Sequence, residues 1–545
     1  MRSHYYWILL FLFACAHKSE KADLIIHNAV IYTLDKNNTI AEAMAIKDGL
    51  ILETGPEQQI LNKYRADKSI DLKKKIVYPG FIDAHCHLLS YGQSLLNVNL
   101  QGVTSTQEMI NRVKEYYYKN KPTSIIGRGW DQTLFPDKKF PDNVLLSKEI
   151  PDIPVLLYRV DGHAALANQK ALDLAGINTQ TVVSGGEIIF ENNIPTGILI
   201  DNAMDLVKNI LPQPGTEEID RALLLAEKNC FRVGLTTLDD AGMDEQTLNR
   251  IIDLQYRHKF KMRMYIMIWA TKESLLKYAV SPPFDTLRTH VRAFKFMADG
   301  ALGSRGACLK HPYSDIHDRK HFGAILNPYE FYLDASKLLY ESGWQMNTHC
   351  IGDSANKMIL QIYAQVLKDI NNKRWRIEHA QILDTTDIQF FKKYSIIPSV
   401  QPTHATSDMR WVEERVGKDR MTGAYAYKTL LNVCETIALG TDFPVEDINP
   451  IKTFYAAVTR KNNHGEPAAG FLPQQALSRE EALRGMTIWA AYANFEEHEK
   501  GTLEKGKFAD FVVLSKDILK CSEKDILNTY VLYTFINGEQ VYSFE

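Results

Sequence analysis

Hydrophobic positions fall into three regimes along this chain. From Asp23 to Tyr78 they form short β-rich runs, Leu24-Ile25-Ile26, Val30-Ile31-Tyr32-Thr33, Ala43-Met44-Ala45-Ile46 and Leu50-Ile51-Leu52, and Asp48-Gly49 marks a hairpin turn. After the helical region ends near Glu499, the same texture returns in Phe511–Leu514 and Val531–Phe535, followed by Asn537-Gly538 and Val541-Tyr542. The two ends, 23–78 and 501–545, are expected to pair into one small β-sandwich domain.

The middle of the chain alternates apolar strands with helical stretches, the rhythm of a parallel sheet. Its buried strand candidates are Phe81–His87, Leu235–Asp239, Met262–Ile268, Ala293–Met297, Gln345–His349, Arg376–His379, Ile396–Val400 and Thr436–Gly440. Eight such strands make an α/β fold of the (β/α)8 TIM-barrel type, placed at 79–500. That count sets aside residues 88–225 as an inserted subdomain after the first strand. The insertion holds strand-like Ser124–Arg128 and Val155–Tyr158, and a hairpin turning at Asn192-Asn193. Loops at the C-terminal ends of barrel strands frame active sites, so the insertion is expected to stand over the mouth as a lid or specificity wall.

Composition narrows the classes of function. The chain has 545 residues, 45% of them apolar and 24% charged, an ordinary globular balance that excludes disorder and multi-span membrane proteins. Its 63 basic and 66 acidic side chains leave a formal charge of −3, without a basic field for nucleic acid. A small-molecule substrate is the expected partner, and self-association into a homo-oligomer is compatible with the sequence. Residues 1–22 read as an export signal and tether: Arg2 and His4, an uncharged apolar run, then Leu12-Phe13-Ala14-Cys15. That last run resembles a bacterial lipobox, with Phe13 bulkier than the usual residue, which makes Cys15 the expected site of lipidation. An uncleaved anchor is the alternative. The lipidated reading makes this an exported, membrane-anchored lipoprotein, facing the periplasm or outer membrane where a cell has two membranes. The other six cysteines are scattered singly and are expected to be mostly free thiols.

The strongest local chemistry is Asp83-Ala84-His85-Cys86-His87. Residues two apart in a strand share a face, so His85 and His87 would project together as a chelating pair. Alone, such a pair also arises where histidines decorate strand ends for packing. The other candidates fall at matching places: His349 ends the fifth strand, His379 the sixth, and Asp442 follows the eighth. Imidazoles and a carboxylate converging on one barrel mouth suit zinc or a similar divalent ion. Lys295, flanked by aromatics on the fourth strand, either pairs with Asp299 or reaches solvent, or else reacts with CO2 to give an anionic carbamate that bridges metals.

This set resembles the amidohydrolase superfamily, and its wider context resembles the YtcJ-like branch, amidohydrolase family 3. The resemblance runs through Val77–Asp83, Phe294–Arg305, the His349 and His379 segments and Gly501–Leu514, and in the insertion through Gly129-Trp130-Asp131, Asp161–Ala165 and Asn168. It implies that His85, His87 and Asp442 hold one metal, that His349 and His379 hold a second, and that an N6-carboxylated Lys295 bridges them. Occupancy by one ion or two stays open. The implied reaction is hydrolysis of a carbon–nitrogen bond other than a peptide bond, with Asp442 moving protons.

Trp130 and His163 are candidate substrate contacts, with packing of the insertion as the equal alternative. Asp299 and Arg305 are candidates for orienting the substrate or bracing Lys295. His404, in a long loop after the seventh strand that runs through Asp408, Arg410 and Trp411, is expected to be a surface histidine. Two other functions stay open: a metal-dependent esterase or lactonase, and a small-molecule-binding lipoprotein without turnover.

Overall fold

The computed structural model describes residues 20–160, 162, 164–183, 186–212, 215–316 and 320–544; Cys15 and His163 lie outside the described residues. Eight parallel strands form the barrel: β1 (Phe81–Cys86), β2 (Leu235–Met243), β3 (Arg263–Trp269), β4 (Thr289–Met297), β5 (Gln345–Cys350), β6 (Arg376–His379), β7 (Ile397–Val400) and β8 (Ala438–Leu439). They are hydrogen-bonded in chain order from β1 to β8. Nearly every side chain on them is buried, polar ones included, because each meets either the barrel interior or the surrounding helices, as in a covered parallel sheet.

The seam between β8 and β1 is closed just beyond the short last strand. The Asp442 N–H donates to the His85 carbonyl at 2.8 Å, and the His87 N–H donates to the Phe443 carbonyl at 2.9 Å. Asp83, buried on β1, accepts the Thr441 N–H at 2.9 Å and the Thr441 hydroxyl at 2.7 Å. Gly440 makes this approach possible: a Cβ there would stand 2.6 Å from the His85 nitrogen.

The two chain ends build two sheets, the first from the N-terminal end alone and the second from both ends. One runs Leu50–Gly55, Ala43–Lys47, Glu20–His27, Tyr64–Asp71; the other runs Glu539–Ser543, Val531–Ile536, Phe511–Leu514, Ile76–Pro79, Val30–Tyr32, Ile40–Ala41. Leu24, Ile26, Met44 and Val77 from one end pack with Phe511, Val513 and Phe535 from the other in a single buried cluster. Their hairpins turn at Asp48-Gly49 and Asn537-Gly538, with φ of +52° and +77°, and +51° and +70°. Asp, Asn and Gly accept that left-handed backbone at low cost, which is why these pairs punctuate the strands.

A further six-stranded mixed sheet spans Val98 to Asp201, with the order Gly186–Glu191, Ile194–Asp201, Ala164–Ala167, Val155–Arg159, Ile125–Trp130, Val98–Asn99. Its first hairpin turns at Asn192 and Asn193, both left-handed. The helices flanking this sheet in sequence, Leu88–Leu96 and Thr216–Arg232, touch each other where Gly92 meets the Ala222 carbonyl; a Cβ on Gly92 would lie 2.2 Å from that oxygen. His87 caps the first of these helices, so the insertion leaves the barrel at the C-terminal end of β1. Among the described residues no helix is long and apolar enough to cross a membrane. Cys86, Cys230, Cys308, Cys350, Cys434 and Cys521 are unpaired.

Candidate metal centre

Four of the six expected ligands lie on strands, His87 directly follows β1 and Asp442 lies just beyond β8, and tertiary structure turns all six toward one point. On β1 the His85 ring is fully buried, and the His87 ring, one residue past the strand, stands 5.6 Å from it, centroid to centroid. His379 packs against His85 at 4.7 Å and against His349 at 4.6 Å. Asp442 Oδ1 lies 3.2 Å from His87 Nε2 and 3.8 Å from His85 Nε2. Lys295 reaches across from β4, with its Nζ 3.2 Å from His85 Nε2. Ligand atoms of His85, His379 and Asp442 all lie within 4.8 Å of one another.

Two of these residues occupy left-handed backbone, His379 at φ +71° and Asp442 at φ +64°. Such positions cost on the order of 1–3 kcal/mol each and persist where surrounding structure enforces them. At His379 the turn has a geometric consequence. In a regular strand Glu378 and His379 would face opposite sides, whereas here both reach the interior, Glu378 to His85 and His379 to His85 and His349.

The electrostatics fit a cation. Burial, reinforced by nearby positive charge, pushes the His85 and His379 imidazoles well below their ordinary value and His349 down to about 3, so these rings are neutral donors at pH 7. Burial alone would raise Asp442, but the His87 imidazole 3.2 Å from its Oδ1 and the adjacent His85 and His379 rings outweigh it and hold the carboxyl well below the usual range. Burial also pushes the Lys295 ammonium down. Asp442 Oδ1 and His349 Nε2 are buried atoms without a hydrogen bond. Outer partners fix the ring orientations: Glu378 Oε2 sits 2.5 Å from His85 Nδ1, and Gln401 Oε1 sits 2.6 Å from His379 Nδ1, leaving each Nε2 for the centre. Neutral imidazoles, an ionised carboxylate with an unbonded oxygen, and oriented rings are what a divalent cation requires, and these residues fit one.

Several expectations are corrected. His404 is no surface histidine: its ring stacks on His379 at 5.8 Å and 19°, and its Nε2 lies 3.4 Å from Asp442 Oδ2. The segment that carries it is not a loop but a series of short helices, Pro402–Asp408, Val412–Val416 and Lys418–Gly423. Trp130 is fully buried in the core of the insertion, donating from Nε1 to the Leu157 carbonyl at 2.6 Å, so it packs that subdomain and does not face a substrate. Asp299 does not brace Lys295. Its carboxylate accepts the N–H groups of Cys308, Ile351 and Gly352 at 2.8–3.0 Å, and so ties the segment after β4 to the end of β5, beside His349. Arg305 pairs with Asp315 at 2.8 Å, away from Lys295. Glu378 and Gln401 were not anticipated, although each adjoins an anticipated element: Glu378 precedes His379, and Gln401 follows β7.

With this geometry in view, the likenesses to known proteins are specific. The chain matches the amidohydrolase family over residues 68–542. It is 31% identical over 541 residues to the putative amidohydrolase YtcJ of Bacillus subtilis (strain 168), covering 95% of this chain and 98% of that protein. It is 27% identical over 545 residues to the N-substituted formamide deformylase of Arthrobacter pascens, covering 95% and 98%. An uncharacterised metal-dependent hydrolase from Pyrococcus furiosus superposes with a TM-score of 0.76 at 27% identity, covering 91% of this chain and all of that one.

Proposed function

Because this chain belongs to the amidohydrolase family, we propose that it is a metal-dependent hydrolase cleaving a carbon–nitrogen bond of a small, non-peptide amide. The observation that carries this reading is the convergence of His85, His87, Lys295, His349, His379 and Asp442 on one end of the barrel. The formamide deformylase likeness supports an N-acyl or N-formyl substrate.

His85, His87 and Asp442 would hold one divalent cation, zinc by the donor set, and His349 and His379 a second where two are bound. Bound there, a cation would supply an acidified water and Lewis-acid polarisation of the scissile carbonyl. Lys295 serves best as a carbamate: its neutral amine bonds to the carbon of CO2, the nitrogen gives up one proton, and the buried amine becomes an anionic oxygen donor. Burial lowers the lysine toward the neutral form that reaction needs. Asp442 takes the proton from the attacking water as the water oxygen bonds to the carbonyl carbon, then delivers it to the nitrogen as the C–N bond breaks. A carboxylate and an amine result. The acylated Cys15 tether, as part of the same proposal, places the enzyme outside the cytoplasm, and equal palmitate-analogue labelling of Cys15→Ser would refute it.

Amine release from N-substituted formamides and N-acyl amines by the zinc-loaded chain tests the substrate class. Turnover confined to esters and lactones would sink it. Asp442→Asn should lower turnover by about 10²–10⁴-fold with an unchanged circular-dichroism spectrum. Full activity in that variant removes Asp442 from the chemistry.

A further inference from the structure

An aspartate side chain has a broad, roughly two-fold torsion at its carboxylate, so nothing intrinsic decides which oxygen of Asp442 faces a cation, or whether both do. The two oxygens nonetheless differ here. Oδ1 points to His87 and His85 and carries no hydrogen bond, while Oδ2 faces His404 Nε2 at 3.4 Å. That nitrogen is itself buried and has no hydrogen-bond partner, so Asp442 Oδ2 is the acceptor nearest to hand.

His404 is held in place from several sides. Its ring lies nearly parallel to that of His379, and its helix, Pro402–Asp408, is clamped at both ends. At the N-terminus the Tyr427 hydroxyl donates to the Gln401 carbonyl at 3.0 Å. At the C-terminus Tyr425 and Gln381 donate to Asp408 Oδ2 at 2.7 and 3.1 Å. The same turn carries Gln401, which fixes His379 Nδ1. One turn of helix thus touches a candidate ligand from β6 and another from beyond β8.

We infer that His404 is a positioning residue for Asp442: its Nε2–H holds Oδ2, so that Oδ1 alone is presented to the cation. One-oxygen ligation keeps the open position a hydrolytic site needs for water, whereas a carboxylate released to bind through both oxygens would fill it. The inference rests on the cation-site reading of His85, His87 and Asp442.

Cobalt(II) is the probe, because its visible bands are strong at low coordination number and weak at six. The cobalt-loaded full chain is compared with His404→Leu, which lacks the donor, and His404→Gln, whose amide restores one. The expected result is an intense visible band in the native chain, loss of intensity in His404→Leu at equal cobalt content, and recovery in His404→Gln. A His404→Leu spectrum identical to the native one overturns the inference, and so does equal loss in both variants, which would assign the effect to packing on His379. Absence of cobalt uptake by the native chain overturns the cation-site reading and this inference together.

Discussion

Two clusters of imidazole and carboxylate occupy opposite ends of the barrel strands, and they differ in how their charge is answered. At the C-terminal ends, the ion pairs of Asp442 among the described residues are all with histidines, and burial keeps the nearby His85 and His379 rings neutral. At the other end, His290, near the start of β4, sits 3.1 Å from Glu496 and 4.0 Å from Glu499 through Nε2, and 3.0 Å from Asp285 through Nδ1. There the buried Lys500 ammonium already stands 2.7 Å from Glu496. By composition the second group also resembles a metal site. The contrast teaches that ligand-type residues in proximity are not enough. A cation is drawn where no lysine or arginine is ion-paired with the carboxylate and the packed imidazoles are kept neutral, and repelled where a lysine already stands against the carboxylate.

The largest effect that can break this contrast is in metal content. Replacing His85 and His87 by Ala should abolish bound zinc by plasma mass spectrometry, whereas His290→Ala should leave it intact; equal loss in both would erase the distinction. A smaller effect belongs to the second cluster, whose charges are structural. Lys500→Met leaves Glu496 buried without its ammonium, so urea unfolding should show a loss of about 3–5 kcal/mol while zinc uptake stays unchanged. Zinc loss without destabilisation would make that end a metal site after all.

The smallest effect concerns acid. In the metal-free chain His349 has a value of about 3, against an ordinary 6.5. Between those values the unfolded chain takes up a proton that the native one excludes, so His349 makes stability fall as pH drops from about 6.5 toward 3. The slope from this one group is about 1.4 kcal/mol per pH unit at its steepest. His349→Asn should remove that share of the pH dependence in urea midpoints, and an unchanged slope would mean the ring is not held neutral.

The barrel strands were legible because their apolar runs are long enough to separate from the helical stretches between them. Arg376–His379 matches its expected bounds, and most others differ by a residue or two. β4 starts four residues earlier than Ala293 because Phe284–Thr286 pairs back on Thr289–Val291, a contact with no apolar signature. β2 runs on to Met243 through Asp239 and Asp240, where acidic residues mask a buried strand. His404 and Trp130 misled for opposite reasons. A histidine after Pro402-Thr403 looks like a loop residue, yet Pro402 opens a helix directed into the site. A Trp beside Gly129 and Asp131 looks like part of a lid, yet its indole finds a carbonyl inside the subdomain.

By itself the sequence determined the fold class, the pairing texture of the two chain ends and the six residues that meet at the mouth. These depend on periodicity and on position at strand ends, which are local. Tertiary structure alone decided how those residues are held: Glu378 on His85 across 293 positions, Thr441 on Asp83 across 358, Gln401 on His379 and His404 on Asp442. Strand periodicity says which way a side chain points but not what it meets. Those partners were set by closure of the barrel and by the left-handed backbone at His379 and Asp442, where the alternation of a strand no longer applies.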